Sequence, residues 1–413
     1  MFSSLALLGL PAEAVPARRF QATPFKINIS DSVPHMLDLI RNTQLPSSEL
    51  PAAQDSLNST LSTGISFQTL KDLKEEWVTD FDWDKEQASM NRLHHFTVKI
   101  EGLDVHYVQE LSGQPDAIPI ILLHGWPGSF LEMVPLIDLL APKGQPKGKA
   151  LNTTTFDVVI PSLPGFGFSS PPPKSWTTAD TARIFNTLMT QVLGYQRYAV
   201  HGTDWGSGVG FSMYDQFNTT ARALHLNFLP FTPPDAEQIA ASKIILSPGE
   251  VVAEKRGSDW TASGMGYFIE QATKPNTIGL SLYDNPVGQL AWIGEKFIAW
   301  SDPRQGTGSS VLTHNEILRE ISLYYLTRSF ISSVYIYNQN PDAFQPDYTR
   351  ARTDAPLLYT TFQYNIGFWP KEYVAKVGNL VSYTFQEFGG HFPALDNPVG
   401  LADDIRDIGK YWE

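Results

Sequence analysis

One stretch of the chain sets a carboxylate among small residues: His201-Gly202-Thr203-Asp204-Trp205-Gly206-Ser207-Gly208. Gly202 lies two before Asp204 and Gly206 two after. That spacing suits a sharp turn from strand to helix. Such a turn crowds strand against helix and strains the central backbone, so its neighbours must be small. It exposes the central side chain above the sheet and usually carries serine there. It also sets that side chain at a helix N-terminus, where a carboxylate is stabilised. Aspartate changes the chemistry. A carboxylate is already ionised at pH 7 and needs no base. It can displace a leaving group at a saturated carbon and form an alkyl ester. Water must then attack the ester carbonyl, and that step needs a base. The implied substrates are epoxides or haloalkanes, not esters or amides. The plainer reading is that Asp204 only caps a helix. Its place in the order of strands argues for the nucleophile.

Other residues fall where such chemistry needs them. His124-Gly125-Trp126-Pro127-Gly128-Ser129 follows a strand ending in IILL. In folds with this turn, that loop supplies one oxyanion-hole N–H and the residue after the nucleophile supplies the other. The expected donors are the backbone N–H groups of Trp126 and Trp205. Pro127 has no N–H and is a candidate for a cis bond that fixes the turn. The base should follow the last strand, and His391 in Glu387-Phe388-Gly389-Gly390-His391-Phe392 is the only histidine after His314. The acid that orients it should follow the preceding strand. Glu372 in Phe368-Trp369-Pro370-Lys371-Glu372 is the choice, with Asp354 and Asp235 as alternatives. His124 and His201 flank these motifs and read as structural. Opening an epoxide releases an alkoxide, so a proton donor opposite Asp204 would lower the barrier. Tyrosine suits that role, but periodicity does not choose among the many tyrosines between 230 and 348.

The elements around these motifs alternate. Residues 25–83 read as a helical preface, with SVPHMLDLIRN and SFQTLKDLKEEWVTDF spacing apolar residues by three and four and Ser66 as a cap. FTVKIEG and LDVHYVQE alternate around Gly102 as a hairpin. Strands AIPIILL, FDVVIPSLPG, YQRYAVHG and ALHLNFLP then take turns with helices, SFLEMVPLIDLLAP and TADTARIFNTLMTQVL among them. This predicts an α/β fold: a mostly parallel, eight-stranded sheet with helices on both faces. A helical, aromatic-rich block interrupts it before PLLYTTFQY and NLVSYTFQEF. Such an insertion reads as a lid over the carboxyl ends of the strands, where ligands bind. The expected organisation is a wrapping segment 1–94, core 95–229, lid 230–348 and core 349–413.

Composition excludes several classes. The chain has 413 residues, net charge −13 and no cysteine. Disulfides, thiolate metal sites and cysteine nucleophiles are excluded. The acidic balance argues against nucleic acid and anionic membranes as partners. No apolar run reaches the roughly 20 residues of a membrane span. A short apolar start and Ala12-Glu13-Ala14 hint at a secretory signal, but no basic residue precedes them. The expected location is cytoplasmic, with secretion as the alternative. Four Asn-X-Ser/Thr sequons, at Asn28, Asn58, Asn152 and Asn218, match chance.

Taken together, the chain resembles the microsomal-type epoxide hydrolases, and especially the soluble fungal members. The matching pieces are Trp77…Phe81-Asp82-Trp83, HGWPGSF, PSLPGFGFSS, the Asp204 turn, TKPNTIG, AWIGEKF, FWPKE and GGHFPALDNP. The resemblance covers nearly the whole chain from Phe25. It implies the α/β-hydrolase fold with a wrapping amino-terminal segment. It implies Asp204 as nucleophile, His391 as base and Glu372 as acid. It also implies Tyr267 and Tyr337 as lid donors, with Tyr324, Tyr325 and Tyr335 as neighbours of the second. The stretch from Glu372 to His391 is shorter than is usual in the family. The expected reaction is epoxide plus water to vicinal diol through an ester on Asp204, with no metal or organic cofactor. Fungal relatives suggest detoxification and a homodimer through the lid. The rivals are a haloalkane or haloacid dehalogenase with the same nucleophile, and a non-catalytic binding protein on this scaffold.

Overall fold

The computed structural model describes residues 20–49, 63–142, 154–308 and 310–412. The signal-like start and the sequons at Asn58 and Asn152 lie outside these residues. The strands are β1 Thr23–Pro24, β2 His95–Ile100, β3 Leu103–Glu110, β4 Ile118–Leu123, β5 Phe156–Pro161, β6 Tyr198–Gly202, β7 Ala221–Leu226, β8 Pro356–Tyr364 and β9 Asn379–Gly390. They form one sheet in the order β1-β2-β3-β5-β4-β6-β7-β8-β9. The pairings from β5 to β9 are parallel, and those of β1, β2 and β3 are antiparallel. The sheet thus has nine strands where eight were expected. The extra one is β1, two residues of the amino-terminal segment paired with Phe96 and Thr97. Two residues are too few to leave a period in the sequence.

Local sequence explains most of this. β6 is buried at every position, because helices cover both faces of a parallel sheet. The β2–β3 hairpin turns at Glu101 and Gly102, both with positive φ (49° and 88°), as a tight two-residue turn requires. SFLEMVPLIDLLAP is not one α-helix. It is a 3₁₀ helix over Phe130–Leu136 followed by a short α-helix, Ile137–Leu140. Pro135 supplies no N–H and obstructs the regular ladder.

The lid helices lie between Ala236 and Gln339, among them Pro248–Ser263, Gly266–Thr273, His314–Leu326 and Phe330–Gln339. Among the described residues of the lid block, 230–348, the only β pairing is the isolated bridge Phe231–Gln345. The amino-terminal segment clasps this lid. Helix Phe67–Thr79 starts at Ser66, whose hydroxyl accepts from the amide of Thr69. On that helix, fully buried Trp77 donates from Nε1 to Ser322 Oγ at 2.9 Å. Glu76 meets His314 at 2.9 Å, and His35 meets Asp284 at 3.1 Å. The lid is therefore held from outside as well as from the sheet beneath. No helix among the described residues is long and apolar enough to cross a membrane.

Candidate active site

Asp204 is the first residue of helix Asp204–Gln216, directly after β6. Its φ is +45°, a left-handed conformation that is uncommon for a residue other than glycine. Close packing holds it there. A Cβ on Gly206 would collide with the carbonyl oxygens of Leu123 and His124, and one on Gly202 would lie 2.5 Å from the carbonyl oxygen of Gly206. The glycines thus let helix and strand approach, and the strain falls on Asp204.

The loop after β4 reaches the same carboxylate. The backbone N–H of Trp126 donates to Asp204 Oδ1 at 2.7 Å. Trp205 is the second residue of the helix, so its N–H takes no partner within the helix. The Trp126–Pro127 bond is cis. The loop is braced from the lid, where Tyr324 donates its hydroxyl to the carbonyl of Gly128 at 2.8 Å. Beneath it lie two buried carboxyls. Burial raises Glu132 well above the usual range, and raises Glu320 to about 7 against the opposing pull of Ser129 and Arg319.

His391 follows β9 and is buried. Its Nε2 stands 3.5 Å from Asp204 Oδ2. Its ring is packed against Trp300 and Phe228. Its Nδ1 lies 2.9 Å from Asn365 Oδ1, not against a glutamate. Glu372 is a correction to the expectation. It sits exposed in the first turn of helix Lys371–Val377, where the helix dipole accounts for an acid. The alternatives are also engaged elsewhere. Exposed Asp354 pairs with Arg222 at 2.8 Å, and Asp235 caps helix Ala236–Ala241. Asn365 is an amide, whereas residue type alone nominates a carboxylate for this place. The available signal was position, since it is the first residue after β8.

Tyr267 and Tyr337 come together over Asp204 from helices Gly266–Thr273 and Phe330–Gln339. Their ring centroids are 5.8 Å apart, nearly perpendicular. Tyr267 stacks on Trp126 at 5.2 Å, and Tyr337 lies edge-on to Trp205 at 4.9 Å. Tyr337 is buried against the rings of Tyr267 and Trp205. Burial, and further the Asp204 charge, hold both phenols well above their usual range, so both stay protonated. The neighbouring tyrosines are occupied otherwise. Tyr324 braces the loop, Tyr325 donates to Asp284 at 2.6 Å, and Tyr335 lines an outer cleft with Pro171 and Pro172. The flanking histidines hold the frame. His124 Nε2 accepts from the amide of Leu163, and His201 bonds His225 at 2.9 Å.

Between these groups lies a cavity of about 310 Å³. Asp204, Tyr267 and Tyr337 line it with Trp205, Phe228 and Trp260, so its wall is mostly apolar. An outer cleft of about 1060 Å³ is larger but does not include Asp204 among its lining residues, and it lacks the chemistry.

Sheet, elbow and lid together define an enzyme of the α/β-hydrolase fold with an aspartate where that fold usually carries serine. The comparisons narrow the class. Residues 22–133 match the family model described as epoxide hydrolase N terminus, and residues 118–252 that of the alpha/beta hydrolase fold. A putative epoxide hydrolase of Stigmatella aurantiaca is 36% identical over 390 residues, covering 93% of this chain and 84% of its own. Epoxide hydrolase 1 of Oryctolagus cuniculus is 32% identical, covering 92% and 87%. The solved structure of Aspergillus niger epoxide hydrolase superposes with a TM-score of 0.80 at 32% identity, covering 95% of this chain and 97% of that one. The chain belongs to the epoxide hydrolase family and is a hydrolytic enzyme.

Proposed function

We propose that the enzyme converts epoxides and water to vicinal diols through an ester on Asp204. The observation that carries this reading is the division of labour on one carboxylate. Oδ1 is held by Trp126, while Oδ2 is the oxygen nearer His391. Asp204 itself lines the cavity that Tyr267 and Tyr337 enter.

In the first step Oδ2 bonds an epoxide carbon and the C–O bond breaks. The alkoxide takes a proton from Tyr267 or Tyr337. In the second, His391 Nε2 takes a proton from water, and the hydroxide attacks Cγ of Asp204. Negative charge develops on Oδ1, where the amides of Trp126 and Trp205 stabilise it. Collapse releases the diol oxygen, which recovers the proton from His391. The proton left on the carboxyl returns to the tyrosinate, and Asp204 is again a carboxylate. Trp126 thus serves both steps, first holding the nucleophile and then its oxyanion. The apolar cavity favours neutral, mostly hydrocarbon epoxides. Its volume is near the lower end for small-molecule sites, roughly 300–1,000 Å³, which favours compact ones.

A dehalogenase would use the same nucleophile. Two protonated phenols over the carboxylate favour epoxide, whose opening needs a proton, over halide, which leaves as an anion. Diol formation and halide release measured side by side separate the two. The decisive experiment is a single turnover with excess enzyme in heavy-oxygen water. The first diol should carry light oxygen from Asp204, and the heavy label should enter the protein. Heavy oxygen in the first diol would mean direct attack by water and would overturn the ester.

A further inference from the structure

Helix His314–Leu326 grips the loop after β4 from the lid side. Glu320 and Tyr324 stand four residues apart on that helix and so share one face. Tyr324 donates its hydroxyl to the carbonyl of Gly128 at 2.8 Å. One turn away, the carboxyl of Glu320 faces the hydroxyl of Ser129, the next residue of the loop. Other positions of the helix are tied to the amino-terminal segment, Ser322 to Trp77 and His314 to Glu76. A second carboxyl meets the loop from its own chain. Glu132 is buried, and a Cβ on Gly128 would collide with its Oε2. Its Oε1 has no hydrogen-bond partner. Gly128 and Ser129 therefore sit between two buried carboxyls. They follow Trp126 by two and three residues, and the N–H of Trp126 holds Asp204 Oδ1.

Little positive charge is placed to balance these acids. Glu320 faces Arg319 on its own helix, but that guanidinium reaches Glu86 of the amino-terminal segment at 3.6 Å. Glu132 faces Glu320, Asp204 and Asp396, all of them acids. Tyr324 stays neutral, since burial holds its phenol well above the usual range. A buried carboxylate beside like charge is strongly disfavoured. Glu320 is 1% exposed, so in the closed structure water does not relieve it. Water reaches an ionised Glu320 only when the face of the helix parts from the loop. That parting also pulls Tyr324 away from Gly128.

We propose that Glu320 is a positioning residue for the nucleophile: as an acid it keeps the lid helix on the Trp126 loop, and as a carboxylate it releases that loop, so that Asp204 loses its donor. This rests on the reading of Asp204 as nucleophile. Epoxide opening then belongs to the form of the enzyme in which Glu320 carries its proton. That form is complete at acid pH and is lost as pH rises through about 7. The two phenols over the cavity do not supply such a fall, since burial keeps both protonated through this range. Burial raises Asp396 to about 7 as well, so a variant of Glu320 has to assign the fall.

The test uses the whole chain and styrene oxide, a neutral apolar probe. It follows kcat/KM for diol formation, whose pH dependence reports groups of the free enzyme. A shift of about 1 Å at a reacting atom costs on the order of 100-fold, so wild type should fall at least about tenfold between pH 6 and pH 9. Glu320→Gln stays neutral throughout, and its value at pH 9 should lie within about twofold of its own value at pH 6. A residue that only filled space would, as glutamine, leave the fall in place or lower the rate equally at every pH. Tyr324→Phe tests the same grip through a second residue. It should lower kcat/KM at pH 6 by about tenfold and leave less than about threefold of further fall, because the loop is already loose. Three results overturn the proposal: a flat wild-type profile, a Glu320→Gln enzyme that keeps the wild-type fall, or Tyr324→Phe at the wild-type rate at pH 6. Failure of the nucleophile reading looks different. Intact protein mass would then show no bound epoxide at any pH, an outcome on which the comparison of diol rates does not depend.

Discussion

The backbone N–H of Trp126 and the carboxylate of Asp204 are 2.7 Å apart, although 78 residues separate them in the chain. One comes from the loop after β4 and the other from the turn after β6, and these strands are parallel neighbours. Pairing in the sheet therefore sets the distance between the Trp126 N–H and the Asp204 carboxylate. The contact is tight enough that Gly125 admits no side chain, since a Cβ there would collide with Asp204 Oδ1.

Gly125→Ala should for that reason displace the carboxylate while the sheet stays intact. A shift of about 1 Å at the reacting atom costs on the order of 100-fold in rate. Pre-steady-state alkylation by styrene oxide should fall by at least that order, with far-UV circular dichroism unchanged. Wild-type alkylation in this variant would mean that the Trp126–Asp204 contact does not hold the nucleophile.

The two phenols should act in the first step only. Tyr267→Phe or Tyr337→Phe alone leaves one donor over the cavity, so each should slow alkylation modestly. The double variant removes both and should slow it by about 10²–10⁴-fold, the range for a positioned acid. Decay of an ester already formed should change little. If the double variant alkylates at the wild-type rate, the proton comes from elsewhere.

Glu320 gives stability a pH dependence. Burial raises its folded value from 4.5 to about 7. Below 4.5 it is protonated in both states and costs nothing. Between 4.5 and 7 the unfolded chain loses the proton and the folded chain keeps it, so stability falls as pH rises. Above 7 the loss is complete, up to about 3 kcal/mol at 1.36 kcal/mol per unit. Glu320→Gln keeps the shape without the charge. Guanidinium melts should find it more stable than wild type at pH 8 and close to wild type at pH 4.5. Equal stability at pH 8 would show that burial does not raise the folded value of Glu320.

Trp77 tests the clasp. Trp77→Phe removes the Nε1–H that bonds Ser322 and leaves a buried hydroxyl unpartnered. The expected cost is about 1–3 kcal/mol. Trp77 is not among the residues that line the cavity, so kcat should stay within about twofold. A large loss of kcat without loss of stability would instead make the amino-terminal segment part of the site.

The sequence alone determined what is local. Small residues two before and two after Asp204 define the elbow, because only they allow strand and helix so close. An aspartate there narrows the expected chemistry to displacement at a saturated carbon. The alternation of strands and helices placed the loops of Trp126 and His391 at the same sheet edge. The tertiary structure decided what depends on meetings between distant segments. Glu372 and Asn365 are seven residues apart, and charge alone points to Glu372. Only the path of the chain leaving β8 shows that the amide meets His391 while the acid turns to solvent at a helix start. The same holds for the tyrosines. Periodicity puts Tyr324 and Tyr337 on amphipathic helices alike, and the packing of the lid sends one to brace Gly128 and the other over Asp204. Residue type fixes what a side chain is able to do, and packing fixes which neighbour it does it to.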